Sequence, residues 1–348
     1  VEIPKGTELH TFGKPWPIET PKHSHVGAVF GPIFSKQKYV MHYNNFINLK
    51  RALLERVFYV RKDGKLVDPP RPESKSYFRQ VLSPEFRALC SGAKFRPWNI
   101  KDVIPLWPGP KQRTYRRAYD SLLVNPLTRR DGHLKCFVKR EKVNGLKHDA
   151  VPRVIQPRSP RYNLHLARYI KPYEKEYYKR LDQMFDVDGL GDKTVCKGMN
   201  AREVAENFIL KASRFSNPVF VGLDASRFDQ HVSDIALSWE HSIYLNTFSY
   251  GLGELSKLLE WQMNNNGFWN SKNPDGTEFG LHYFVKGRRM SGDMNTSLGN
   301  CIIMCSLVHA YMRQRGIKCA LANNGDDCVL IFEREHLQKT SDLSEWFL

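Results

Sequence analysis

Two short apolar runs, Lys318-Cys-Ala-Leu-Ala322 and Cys328-Val-Leu-Ile-Phe332, enclose Asn323-Asn324-Gly325-Asp326-Asp327, and no other stretch restricts the fold as tightly. Both runs have strand length, and Asn, Gly and Asp close tight turns, so the segment predicts a β-hairpin presenting two acids at its tip. A third strand-length run, Pro218-Val-Phe-Val-Gly-Leu223, ends on Asp224. If these strands pair, Asp224 meets Asp326 across about a hundred residues of intervening chain. Carboxylates gathered at sheet ends repel, which raises a pKa or demands a cation. Mg2+ answers that demand when phosphates complete its oxygen shell, and two such ions roughly 3.5 to 4 Å apart serve an in-line phosphoryl displacement. Taken alone, Gly325-Asp326-Asp327 reads equally well as an ordinary Asp-rich turn.

Two further motifs weigh against that plain reading. Asp224-Ala-Ser-Arg-Phe-Asp229 places a second acid five residues beyond the first, and Ser291-Gly-Asp-Met-Asn-Thr296-Ser-Leu-Gly-Asn300 lies between it and the hairpin. Met294, Leu298, Cys301, Ile302, Cys305 and Val308 recur at a three-or-four spacing, which predicts an amphipathic helix over 294–313. Thr296 and Asn300 then share one face. Ser291-Gly292 forms a flexible lead-in whose free N–H groups could meet an anion.

Charge points to a polyanion or an anionic membrane surface. The chain carries 53 Lys and Arg against 36 Asp and Glu, a formal net charge of +17. Residues 111–161 hold fourteen of the cations and only four of the acids, more than half of the surplus. Phe137, Val138, Val151, Val154 and Ile155 interleave the cations, as in two antiparallel extended arms with Asn144-Gly145 as the turn. A solvated basic face is the plain alternative.

In this order the three acid and polar motifs resemble those of the RNA-dependent RNA polymerases of positive-strand RNA viruses, and their phrasing is most similar to the tombusvirus and luteovirus-like plant virus replicases. The family's Asp-x4-Asp, Ser-Gly-x3-Thr-x3-Asn and Gly-Asp-Asp motifs are matched by Asp224 and Asp229, by Ser291, Gly292, Thr296 and Asn300, and by Gly325, Asp326 and Asp327. A preceding basic motif is matched by Lys139-Arg140-Glu141-Lys142 and Arg153-Val-Ile155. The resemblance runs from about Phe137 to Phe332 and is compositional before that.

The resemblance implies an α/β (α+β) right-hand polymerase fold. Residues 1–217 would be fingers with an N-terminal strap, the Tyr162 to Leu181 helix packing toward the palm. Residues 218–250 would be palm, 251–285 a fingers insertion, and 286–348 palm again, with the second-motif helix and the hairpin. Family members continue into a helical thumb, for which the short tail after Asp327 leaves no room, so the thumb is expected to be missing. A downstream general-acid lysine is missing as well, unless Lys339 serves. Asp224 and Asp326 would hold two Mg2+ or Mn2+ ions, Asp327 being a neighbouring or weaker ligand, while a primer 3′-hydroxyl attacks the α-phosphate. Asp229 would receive the ribose 2′-OH and Asn300 would orient it. Lys139, Arg140, Lys142 and Arg153, with Ser291, Gly292 and Thr296, would hold the incoming nucleotide beneath a basic roof. Arg113, Arg116, Arg117, Arg158 and Arg161 are the expected RNA contacts. RNA template and product, NTPs and a membrane-anchoring viral replication protein or missing segment are the implied partners, at membrane-associated complexes in the host cytoplasm.

The remaining sequence sets the frame. At 348 residues with 41% hydrophobic and 26% charged content the chain reads as a folded protein of one large core or two to three subdomains. No apolar run reaches membrane-spanning length, and Val1-Glu-Ile-Pro, lacking a Met, reads as the start of a cut or processed product. Seven cysteines without a Cys-x-x-Cys spacing suggest neither a disulfide framework nor a zinc site, and Cys301 and Cys305 read as small core residues. Residues 1–40 read as an extended strap, 45–57 as a helix, and Asp63-Gly64 as a hairpin turn. Pro172 marks a break in the helical spacing from Tyr162 to Leu181, Asn200 with Glu203 starts another helix, and Ile235 to Phe248 forms a further one. A truncated product that holds RNA without turnover is the second functional reading. Reverse transcription is disfavoured by the Asp229 with Asn300 arrangement. Replacing Lys139, Arg140 and Lys142 together by Gln is expected to weaken RNA binding and flatten its salt dependence by roughly 0.7 to 0.9 for each phosphate no longer neutralised; an unchanged slope in a titration series removes this stretch from the RNA interface.

Overall fold

The computed structural model describes residues 7–16, 23–31, 34–144, 150–186 and 188–347, and over them the chain is a mixed α/β structure. Its centre is the helix Thr296–Gln314. Every residue from Leu298 to Ser306 is buried, so the predicted wet face is covered, and the helix is a core element rather than an amphipathic surface one. The reason lies in residues that the three-or-four spacing passes over. Gly299, Ile303, Met304 and Ser306 are small or apolar and let neighbours approach from all sides. Around it pack Tyr177 and Leu181 of the helix Glu174–Phe185, Ile243 and Tyr244 of the helix Asp234–Thr247, and Leu321 and Leu330 of the hairpin strands. Fully burying each Leu or Ile of this kind contributes about 1.5 to 3 kcal/mol. All seven cysteines are free thiols, and Cys301 and Cys305 lie in this core.

A three-stranded antiparallel sheet lies against the helix in the order Pro218–Leu223, Asp327–Glu333, Cys319–Asn324. An irregular fourth element extends it beyond Cys319–Asn324, where Val195 makes a parallel bridge to Asn323. Cys196 N–H donates to the Asn323 carbonyl at 2.8 Å, and Asn323 N–H donates to the Thr194 carbonyl at 2.7 Å. A buried charge cluster anchors this segment. Lys211 and Arg214, on and just after the helix Ala201–Ala212, both pair with Asp192, and Asp182 accepts from the Thr194 and Val195 N–H groups at 2.7 and 3.2 Å.

The second large sheet runs Thr7–Phe12, Glu278–Lys286, Asn264–Lys272, Leu134–Lys135. The N-terminal strap expected from composition is thus in part an edge strand, in unbroken register from Thr7 opposite Val285 to Phe12 opposite Gly280. Its lack of periodicity concealed it, because edge pairing needs backbone groups more than an apolar face. Gly267 leaves room for the Tyr283 ring, since a Cβ there would stand 2.0 Å from Tyr283 Cζ. Tyr283 in turn donates to Gln156, which ties this sheet to the basic arm.

Several local expectations match. The helix over 45–57 is Phe46–Leu53 capped by Asn45, with a π turn, Leu54–Phe58, completing it. Val60–Lys62 and Lys65–Val67 form the hairpin about Asp63 and Gly64, both at positive φ. Pro172 sits in a 3-10 turn, Lys171–Tyr173, between the helices Pro160–Ile170 and Glu174–Phe185. Asn200 and Glu203 form a reciprocal capping box. Among the described residues no helix is long and apolar enough to cross a membrane. Asp192→Ala is expected to cost about 3 to 5 kcal/mol, because it leaves the buried Lys211 without a counter-ion while Arg214 keeps Asp186; a urea midpoint that falls with an unchanged slope checks it.

Candidate active site

Strand register builds the acidic centre. Leu223 is opposite Cys328 and Asn324 opposite Asp327, so one step past Leu223 the chain brings Asp224 level with Asp327. The Asn323 amide clamps the turn, donating to the Gly325 carbonyl at 2.7 Å and accepting from its N–H at 3.1 Å. Gly325 takes φ +99°, which a side chain would resist. Asp224, Asp326 and Asp327 line one cavity of about 1490 Å³. Desolvation, then the Asp326 and Asp224 charges, push the Asp327 carboxyl above its usual value, and Lys197 and Arg153 pull it back. None of the three acids joins an ion pair among the described residues.

This donor set fits hard cations. Three carboxylates facing open space offer oxygen ligands only, as Mg2+ or Mn2+ prefer, and leave positions for oxygens from a substrate. Among the described residues no three His, Cys, Asp or Glu side chains are grouped so as to hold a metal ion by themselves.

Beside the acids, Asp229 is held at both oxygens. Ser291 Oγ donates to Oδ2 at 2.5 Å and Asn300 Nδ2 donates to Oδ1 at 3.0 Å. Asn300 is buried, and its Oδ1 accepts from Arg289 Nε at 3.0 Å. Arg289 pairs with Glu240, which also accepts from Asn295 at 2.9 Å and Tyr244 at 2.8 Å. The chain Glu240, Arg289, Asn300, Asp229, Ser291 is continuous and orients the carboxylate from beneath. Sequence reasoning found Asp229, Ser291 and Asn300 but missed Glu240 and Arg289, which stand outside any motif spacing. Thr296 Oγ donates to the Met290 carbonyl at 2.8 Å, fixing the helix start. Gly292, at φ +133°, packs on the backbone of Pro157 and lines the cavity.

The basic residues divide. Phe137–Val138 pairs antiparallel with Val154–Ile155, continued by Lys139 N–H to the Arg153 carbonyl at 2.8 Å, while Val143–Asn144 pairs with Phe34–His42 instead. Gly145 of the expected turn lies outside the described residues. Lys139 and Arg153 line the cavity and share Glu141. Arg56 and Arg227 join them, unnoticed in the sequence because Arg56 lies on a distant helix. Burial, then the Arg227 and Arg153 charges, push the Arg56 guanidinium down to about 10, with Glu141 and Glu55 pulling it back. Arg227 itself takes the left-handed φ of +53° within the first acid motif.

Five other cations stand elsewhere. Arg140 and Lys142 are exposed on the arm, and Arg113, Arg116 and Arg117 are exposed on the helix Gly109–Val124; none lines the cavity. Arg158 and Arg161, expected at RNA, are structural braces here. Arg158 is fully buried, its guanidinium on Asp293 and Asn265 and on the Gly132 and Trp261 carbonyls. Arg161 ties Asp131, Ser121 and the Asn125 and Pro126 carbonyls together. Charge count alone cannot separate a brace from a ligand contact, because both need the same guanidinium fork.

Comparison with known proteins gives the chain a family. Residues 15–348 match the family described as viral RNA dependent RNA polymerase. The RNA-directed RNA polymerase of Cymbidium ringspot virus is 48% identical over 308 residues, 88% of this chain and 36% of that protein. That of tomato bushy stunt virus (strain Cherry) is 46% identical over 318 residues, 90% and 37%. That of Pothos latent virus (isolate Pigeonpea/India) is 44% identical over 351 residues, 99% and 45%. The chain spans about two fifths of the length of these relatives.

Gly299 is the passage through which the Asp229 support runs, since a Cβ there would stand 2.3 Å from Glu240 Oε1 and 2.4 Å from Arg289 Nη2. Gly299→Ala is expected to break that pair and cost about 3 to 5 kcal/mol; calorimetry showing an unchanged Tm would contradict the buried network.

Proposed function

The chain belongs to the viral RNA-dependent RNA polymerase family, and from that premise we propose that its cavity carries template-directed RNA synthesis, moving a nucleotidyl group from an NTP to an RNA 3′-hydroxyl during viral genome replication. The observation that carries this reading is the register that sets Asp224 beside Asp327 in a cavity also lined by Lys139, Arg153, Arg56 and Arg227.

Asp224 and Asp326 are the residues that would hold two Mg2+ or Mn2+ ions, with Asp327 a third or weaker ligand. When bound, such ions activate the attacking hydroxyl and neutralise charge on the leaving oxygen. The chain's own part is positioning. Lys139, Arg153, Arg56 and Arg227 attract and orient the triphosphate by charge-assisted hydrogen bonds. Asp229, with each oxygen already given one donor by Ser291 or Asn300, keeps acceptor capacity for a ribose 2′-OH, which a deoxyribose lacks. Thr296 and Gly292 set where the second motif meets the cavity.

In this reading residues 218–250 and 286–348 form the palm around the three-stranded sheet, and 1–217 with 251–285 form the fingers. Pairing of Thr7–Phe12 with Glu278–Lys286 supports joining those two ranges. RNA template and product and NTPs are the substrates. A membrane-anchoring viral protein, or another segment, would place the activity at replication complexes in the host cytoplasm.

Asp326→Ala is expected to lower nucleotide addition by about 100- to 1000-fold or more, the scale of losing one preorganised charge-stabilising group, while RNA retention stays. Incorporation close to the wild-type rate on a primed template would refute the metal role. RNA retention without synthesis by the wild-type protein would leave only the reading as an RNA-holding module.

A further inference from the structure

Lys197 is a cavity cation that the basic arm does not account for. It follows the segment that bridges Asn323, and its Nζ lies 3.3 Å from Asn324 Oδ1 and 3.5 Å from where a Cβ on Gly325 would stand. It therefore overhangs the turn that carries Asp326. The other lining cations are engaged differently, Arg56, Arg227 and Arg288 each donating to a backbone carbonyl. Lys139 and Arg153 share Glu141, Lys171 pairs with Glu174, and Lys111 lies over Trp107 and Tyr115. Lys197 has a neutral amide and no ion pair among the described residues.

Its location is also built, not incidental. Asp192 is pinned by Lys211 and Arg214, Asp182 accepts two backbone N–H groups at Thr194 and Val195, and Asn207 both accepts from Lys193 N–H at 3.2 Å and donates to the Lys193 carbonyl at 2.8 Å. This bracing ends just before Lys197. Side-chain freedom remains, because Lys197 is half-buried and Gly198 beyond it is exposed.

The sheet separates Lys197 from the arginine cluster. Arg227 follows Pro218–Leu223 at one edge, while Lys197 follows the bridge beyond Cys319–Asn324 at the other, with the acids between them. Nucleotidyl transfer brings two anionic partners to such acids from two sides, the triphosphate and the strand whose 3′-hydroxyl attacks. The arginines and Lys139 suit the first. We propose that Lys197 binds a backbone phosphate of the product RNA strand near its 3′ end, holding that strand over the Gly325 turn. This rests on the polymerase reading above. A flexible ammonium suits the task, since a phosphate that must advance with each addition is better met by a point charge than by a rigid fork.

The test titrates the wild-type protein and Lys197→Gln with a short primer–template RNA duplex at several salt concentrations and measures the NTP KM on the same duplex. Lys197→Gln is expected to weaken duplex affinity roughly 5- to 10-fold, the scale of one charge-assisted phosphate contact, and to flatten the salt slope by about 0.7 to 0.9. The NTP KM should stay within about twofold, and Lys197→Arg should recover most of the affinity. Arg153→Gln should show the mirror image, a raised NTP KM with duplex affinity kept. Unchanged duplex affinity and slope in Lys197→Gln overturn the proposal, as does a raised NTP KM alone, which would assign Lys197 to the triphosphate. A wild-type protein that binds duplex but adds no nucleotide defeats the polymerase reading only, since the affinity comparison still reports on Lys197.

Discussion

Mutual repulsion among Asp224, Asp326 and Asp327 is the constraint around which the rest of the molecule is arranged. After desolvation, the Asp326 and Asp224 charges push the Asp327 carboxyl above its usual value, and no basic side chain forms an ion pair with any of the three among the described residues. Left to itself the chain would move them apart. The antiparallel ladder from Pro218 opposite Glu333 to Leu223 opposite Cys328 prevents that on one side, and the Asn323 clamp prevents it at the turn. Behind the sheet, the helix Thr296–Gln314, buried without a break from Leu298 to Ser306, supplies the apolar contact that offsets the repulsion. A site that fits cations is therefore held by elements with no chemistry of their own.

Buried charges beside the cavity follow the opposite rule from those of the acidic centre. Arg158 with Asp293, Arg289 with Glu240, and Lys211 and Arg214 with Asp192 are all buried and matched. Such pairs roughly break even against desolvation, so net stability is a poor account of why they are there. Each lies next to a segment that enters the cavity. Asp293 follows Ser291 and Gly292, Arg289 reaches Asn300, and Asp192 precedes Lys197. Matched charges fix backbone position because either partner, once displaced, is left desolvated and alone. Around the acidic centre, Asp224, Asp326, Asp327 and Lys197 make no ion pair among the described residues and Lys139 and Arg153 share Glu141, so these charges can exchange their partners for a substrate.

Legibility in the sequence followed the range of the interaction. The hairpin, the strand before Asp224, the break at Pro172 and the Asn200 cap were readable, because turn chemistry and capping act within a few residues. Asp229, Ser291 and Asn300 were readable through motif spacing, and the structure brings them together. Glu240, Arg289, Arg56 and Lys197 were not. Each acts through a tertiary contact, and a lone Arg or Lys outside a motif carries no local signal. The helix Thr296–Gln314 was read with one face exposed because periodicity records where apolar residues recur, whereas complete burial also depends on Gly299 and Ser306, which a three-or-four count ignores. Thr7–Phe12 escaped because an edge strand is specified by its partner's backbone.

The basic stretch over 111–161 shows why net charge is a coarse guide to mechanism. Its cations serve three ends. Lys139 and Arg153 face the cavity, Arg158 and Arg161 brace the scaffold, and Arg113, Arg116, Arg117, Arg140 and Lys142 are exposed outside the cavity. Of these, only Lys139 and Arg153 touch the space where a substrate would react, joined there by Lys111 at the start of the stretch. Braced cations contribute almost nothing outward, because Asp293 and Asp131 neutralise them at contact distance. Exposed ones act through a field that physiological salt cuts off at about 8 Å. That reach is too short to orient a bound triphosphate and long enough to enrich a polyanion near the surface. Capture and orientation thus fall to different residues of one charged run, and a substitution that weakens one leaves the other in place.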